Sequence, residues 1–150
     1  MSQRPSQRES AIGALFAVLG HLSLGTSEAT VKRNAALPER VADHAMAILR
    51  DGEMGEPEVS LSPLTYHWQH QVAIELFIAD ADVSVRDARM DGLLTELAGL
   101  IEADRTLGGV IEYVEIGPPK FDELAPDGSS GIKACLLPMV LHYSSSGPLN

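Results

Sequence analysis

Over the stretch Ser62 to Ala79, SPLTYHWQHQVAIELFIA, the side chains alternate in character with a period of two. Tyr66, Trp68, His70, Val72, Ile74, Leu76 and Ile78 fall on one side, and His67, Gln69, Gln71, Ala73 and Glu75 on the other. Successive side chains of a β-strand point to opposite faces, so this pattern predicts a strand with one face turned to a core. Phe77 interrupts the polar side near the end. The strand is therefore expected to start half-exposed at its Tyr-His-Trp end and to finish buried on both faces. Strands usually run about 5 or 6 residues, and this one is much longer. A strand of that length is expected to project past the body of its domain, where it can meet a partner.

The remainder of the chain has to supply what such a strand pairs with. Its 150 residues suit one domain, residues 1–150, with a real core. No apolar run approaches the roughly 20 residues of a membrane span, and the start, MSQRPSQRES, lacks the apolar stretch of a signal peptide. The expected location is the cytoplasm. Cys135 is the only cysteine and sits in an apolar run, which excludes an intramolecular disulfide and a thiolate metal cluster and suggests a small buried hydrophobe. Eleven Lys and Arg against 21 Asp and Glu give a formal net charge of -10. The bases are scattered, with Lys32 and Arg33 the only adjacent pair, so tight nucleic-acid binding is disfavoured. An acidic surface suits a protein that lets DNA pass without holding it, although acidity also simply solubilises.

Taken in order, Ser6 and Glu9 form a capping box, after which Ile12, Leu15, Phe16, Leu19 and Leu22 recur at helical spacing, with Gly25 placed to end the helix. Glu28 to Asn34 reads as a short edge strand with Val31 inward. AALPERVADH reads as a loop, and the apolar AMAIL, Ala45 to Leu49, as a central strand. The turn-rich RDGEMGEPEVSLSP holds a brief strand at Glu58 to Leu61 and predicts an exposed arm joined to the start of the long strand. Ser84 with Asp87 reads as a second capping box, opening a helix with the stripe Met90, Leu93, Leu94, Leu97, Leu100 and Ile101, stopped by Gly108 and Gly109. A strand over Val110 to Ile116 follows, then a long loop, GPPKFDELAPDGSSG. A last strand runs over Ile132 to Tyr143, where Pro138 argues for an edge or a bulge. The expected fold is α+β: a mixed, mostly antiparallel sheet covered by two helices, with a projecting β-hairpin arm.

The segment ILRDGEMGEPEVSLSPLTYHWQHQVAIELF, Ile48 to Phe77, resembles the small tail terminator proteins of long-tailed phages and gene transfer particles. DRTLGG, Asp104 to Gly109, and the closing GIKACLLPMVLHY carry the same resemblance. It implies a structural, non-enzymatic protein that forms a six-membered ring on the finished tail tube, stops its growth and presents a surface to the head connector or stopper protein. The implied partners are copies of itself, the tail tube protein and that connector. DNA passes through the ring without specific binding, no cofactor or membrane is involved, and the protein moves from the host cytoplasm into the particle. A ring subunit buries one surface against each neighbour in a heterologous contact. The arm from Asp51 to Pro63 and the loop from Gly117 to Gly131 are the natural contact elements.

Candidate site residues are correspondingly those of an interface: Asp51, Glu53, Glu56 and Glu58 on the arm, and Lys120, Phe121, Asp122 and Glu123 in the long loop. The arm acids either pair with a basic patch on a partner or belong to a solvated turn. Tyr66 and Trp68 are either interface anchors or core packing beneath a helix. His67, His70 and His142 raise the thought of a metal, but His67 and His70 have opposite parity on a strand and point to opposite faces, so no metal site is expected. Cys135 and His142, the one tempting nucleophile and base, diverge for the same reason. Gly108 and Gly109 follow a helix instead of preceding one, unlike a phosphate loop. Two other readings compete: a neck or head-completion protein of the same particle, and a small cytoplasmic enzyme or ligand-binding domain with its pocket under the Gly117 to Gly131 loop.

Overall fold

A computed structural model describes residues 4–24, 27–28, 30–36, 45–124 and 131–150. Helix α1, Gln7–Leu19, opens as the capping box predicts, with the Ser6 hydroxyl accepting from the Glu9 amide at 3.1 Å. It ends at Gly20, earlier than expected, and Gly25 lies outside the described residues. Leu22 continued the helical spacing in sequence because it still packs into the core, but it does so from beyond the helix. A two-residue ladder, β1 (Ser23–Leu24) with β2 (Ser27–Glu28), leads to β3, Thr30–Arg33.

Two long strands form the centre of the main sheet. The alternating stretch is β6, Thr65–Ala79, and it pairs along its whole length with β9, Ile132–Ser145, from Tyr66 opposite Ser145 to Ala79 opposite Ile132. Each has a flanking edge made of two strands in line. Beside β6 run β4, Ala45–Glu53, and then β5, Glu58–Ser60. Beside β9 run β7, Tyr113–Ile116, and then β8, Lys120–Leu124. β3 pairs with β4 in parallel and closes one edge, as its charges suggested; every other pairing is antiparallel. This is the mixed, mostly antiparallel sheet of an α+β fold.

Two sequence expectations change here. Lys120 to Leu124 lies within the expected loop yet forms β8, and residues 125–130 of that loop lie outside the described residues. Pro138 sits in a central strand, not at an edge or bulge. Its carbonyl accepts from the Gly117 amide at 2.8 Å, so its backbone polar positions face the seam between β7 and β8. A missing N–H does no harm there, because Pro118 and Pro119 interrupt the facing edge as well. A Cβ on Gly117 would come within 2.9 Å of the Pro138 ring, which explains the glycine.

Helix α2, Val83–Ala103, is capped by Asp82, two residues before the expected Ser84. The Asp82 carboxylate accepts from the Ser84 amide at 2.8 Å and from the Ser84 hydroxyl at 2.6 Å, and these bonds hold it below the usual carboxylate range. Asp87 is turned instead to Lys133 at 2.7 Å. The helix stops at Ala103, and Gly108 and Gly109 belong to the following turns, both at positive φ. Ile12 and Leu15 from α1, and Met90, Leu93, Leu97 and Ile101 from α2, meet the even residues of β6 and the odd residues of β9 in the main core. At the Ala79 end the opposite face is closed too: Met46, Ile48, Phe77 and Ile132 form a second buried cluster, so β6 does finish buried on both faces.

Candidate functional site

The lower end of the sheet carries the candidate interface. β4 leaves the β6 ladder through a bulge between Arg50 and Glu53, the chain detours over Met54 to Pro57, and β5 rejoins the same edge. Together with β6 this makes the arm, turned at Leu61 to Leu64. Glycine makes the bulge possible: Gly52 sits at φ 63°, and a Cβ there would lie 1.8 Å from the Gln71 carbonyl oxygen. Only a residue without a side chain fits so close to a neighbouring backbone.

A buried network holds the arm's root. The Asp51 carbonyl can only accept, so His70 Nε2–H donates to it at 2.6 Å, which leaves Nδ1 to accept from the Tyr143 hydroxyl at 2.7 Å. Burial pushes the His70 pKa down and that of Tyr143 up to about 12. The Asp51 carboxylate takes two bonds from Arg33, at 2.7 and 2.8 Å, and Arg33 also reaches Glu9 on α1. The guanidinium holds both carboxyls below their usual range. Asp51 is therefore committed within its own chain.

Glu53, Glu56 and Glu58 are exposed, and no ion pair to them is formed among the described residues. From Asp51 to Val85 there is no lysine or arginine at all. Across the sheet the field has the same sign. A groove of about 510 Å³ runs between the arm and β9, with Glu56, Glu58 and Glu112 in its wall beside His67 and His142. His67 bonds with Ser60 of β5 at 2.9 Å; His142 donates to Glu115 at 2.6 Å and stacks on Tyr113 with ring centres 4.1 Å apart. His70 points to the other face, as parity required, and Cys135 is buried away from His142, its thiol pushed up by burial. Among the described residues no three His, Cys, Asp or Glu are grouped as metal ligands would be.

Of the two aromatic candidates, Trp68 is only 7% exposed and packs in the main core, its Nε1–H donating to Ser145 at 2.9 Å; Tyr66 is half-buried and stacked beside it. The feature not anticipated in the sequence is the arm's tip. Val59, Leu61 and Leu64 are 53%, 76% and 48% exposed. Three apolar residues within a segment rich in turn formers, VSLSPL, were the available signal. On the other side of the molecule Lys120, Phe121, Asp122 and Glu123 are exposed on β8, with Glu123 bonded to Arg86 at 3.3 Å and Lys133 over the Phe121 ring at 5.1 Å.

No family model and no curated protein matches this sequence. Among solved structures, a chain of the virion of a native gene transfer agent particle is similar with a TM-score of 0.35 and 9% identity, over 91% of this chain and 94% of that one. A likeness that slight carries no argument about fold or function. No helix among the described residues is long and apolar enough to cross a membrane.

Proposed function

We propose that this chain is a non-catalytic structural protein of a phage-like tail, the terminator that rings the end of the tail tube, stops its growth and joins it to the head connector. The observation that carries the reading is the arm: a hairpin with an exposed apolar tip, Val59, Leu61 and Leu64, flanked by Glu53, Glu56 and Glu58, which form no ion pair among the described residues. Solvent-facing apolar side chains at the end of a hairpin are what a protein contact needs and what an isolated domain avoids. The acidic sweep from the arm to Glu112 and Glu115 suits a surface past which DNA moves without sticking. The segment that resembles terminators, Ile48 to Phe77, is the one that builds β4, the arm and β6.

Deletion of the gene in the strain that carries it, followed by negative-stain electron microscopy, tests this. Headless tubes of uncontrolled length beside filled, tailless heads are expected. Tails of normal length unattached to heads would move the protein to the neck, and normal infectious particles would end the proposal. Replacing both Glu56 and Glu58 with lysine is expected to block assembly in a folded monomer.

A further inference from the structure

We infer that the arm tip of one copy of this chain docks in the apolar groove between Phe77 and Leu136 of a second copy. The inference rests on the ring reading and gives that ring its contact. Its occupant follows from charge. The tip is apolar and its flanks carry Glu56 and Glu58 without a base within reach in sequence, so its receptor must be an apolar groove with a cation in the wall.

The described part of the chain offers such a groove beside β8. It measures about 440 Å³, is lined mainly by carbon, and includes the Lys120 side chain. Leu136, on the same face as Phe77, is 38% exposed there, so apolar surface is open on both sides of the proposed contact, while the Phe121 side chain, opposite Cys135, lies on the helix-covered face. Arg33, Arg50, Arg86 and Lys133 are held by carboxylates of their own chain, but Lys120 makes no ion pair among the described residues. Of the groove's acids, Glu75 is matched by Arg50 at 3.1 Å. Asp122 forms no ion pair among the described residues, and it fixes the orientation: the arm's glutamates lie toward Lys120 and away from Asp122. The other large apolar groove, between Val18 and Leu100 on the helix face, has Asp104 in its wall and neither lysine nor arginine, so it would repel the arm.

A copy cannot satisfy its own tip. Thr65 and Phe77 are separated by twelve steps along one strand, about 40 Å at roughly 3.3 Å per residue. Tip and groove therefore lie toward opposite ends of the subunit, and the contact is head to tail, closing into a ring if the rotation permits.

Sedimentation velocity on the full chain decides it, with Glu58→Lys, Lys120→Glu and Leu61→Asp as variants. All three positions are exposed, and unchanged circular dichroism and melting serve as the control for folding. The wild type is expected to self-associate with concentration, each single variant to do so at least about tenfold more weakly, since like charges now face each other or the apolar knob is charged. An equimolar mixture of the Glu58→Lys and Lys120→Glu chains is expected to recover association, because every contact in an alternating assembly regains opposite charges. Assemblies that persist in Leu61→Asp, or a mixture that does not recover, overturn the docking while leaving the terminator reading to the deletion experiment. A wild type that stays monomeric at every concentration overturns it too.

Discussion

Replacing Gly52 with alanine isolates the bulge from which the arm springs. Two costs arise, and a neighbouring glycine separates them. At φ 63° an L residue is disfavoured by about 1 kcal/mol. The second cost is contact: the new Cβ would stand 1.8 Å from the Gln71 carbonyl oxygen and 3.0 Å from the Val72 Cα, both backbone atoms of the central strand β6. No side-chain rotation relieves that, so the Asp51–Glu53 segment must lift from β6. Lifting breaks the pairing of Glu53 with Gln71 and takes the Asp51 carbonyl away from His70, leaving a buried imidazole donor unsatisfied. At about 1 kcal/mol for a lost ladder bond and about 2 for the orphaned donor, the total is about 4 kcal/mol. Gly55 is the control, at φ 69° but with nothing within 4 Å of a Cβ, so Gly55→Ala meets only the backbone cost of about 1 kcal/mol. For a chain of this size each kcal/mol moves the melting temperature by about 2–4 °C, which predicts a drop of about 8–16 °C for Gly52→Ala and about 2–4 °C for Gly55→Ala. Thermal unfolding followed by circular dichroism reads both. Equal melting temperatures would refute the claim that close backbone approach, and not conformation alone, requires glycine in the bulge.

Other perturbations test the network and the core. His70 is held neutral by burial, its folded pKa below the unfolded value, so the unfolded chain binds the extra proton and stability falls as pH drops through about 6.5. His70→Gln should flatten the melting-temperature profile between pH 7.5 and 5; a variant with the wild-type slope would place the titration elsewhere. Arg33→Ala should cost about 1 kcal/mol at neutral pH, discounted because Glu9 and Asp51 are more than a third exposed, and the difference from wild type should vanish as acid protonates both carboxylates. Urea titrations at pH 7 and at successive steps of falling pH provide the comparison. Leu97→Ala, fully buried between α2 and the sheet, should cost about 3 kcal/mol by transfer and cavity terms, whereas Leu61→Ala at the tip should leave folding unchanged.

What the sequence disclosed was whatever repeats with a period. The alternation of β6 appears residue for residue in its burial: Trp68, His70, Val72, Ile74, Leu76 and Ile78 inward, His67, Gln69 and Gln71 outward. The α2 stripe is similar, with Met90, Leu93, Leu97 and Ile101 buried and Leu94 and Leu100 at its margin. Ends were harder to see because several residues can perform the same local task. Ser84 with Asp87 has the spacing of a capping box, but the Asp82 carboxylate, two residues earlier, accepts from the amide and the hydroxyl of Ser84 and so wins. β8 was hidden for a related reason. Lys120 to Leu124 is short, bounded by Pro-rich sequence and exposed from Lys120 to Glu123, and it becomes a strand only because β9 offers it a ladder from Leu136 to Ile132. Pairing at a distance leaves no local signature.

The same distance effect assembles the acidic end of the molecule. Glu58 and His67 are neighbours through the hairpin that the alternation predicted, but Glu112, Glu115 and His142 reach that surface only through the β6–β9 and β7–β9 registers. Gln69 stands opposite His142, and His142 opposite Tyr113. A slip of one residue in β9 would send His142 into the core and Tyr143 into solvent, and would take the Tyr143 hydroxyl from His70. The buried bond therefore fixes the register that the exposed acids depend on, which links the stability of the arm's root to the charge its surface presents. Tyr143→Phe tests that link. It removes a hydroxyl without changing the shape of the ring, so the fold should survive at a cost of about 1–2 kcal/mol. Amide exchange should then rise first at the lower end of β9, near His142, and remain slow beside Leu137. Uniform exchange along the whole strand would show that register is held by the apolar core alone.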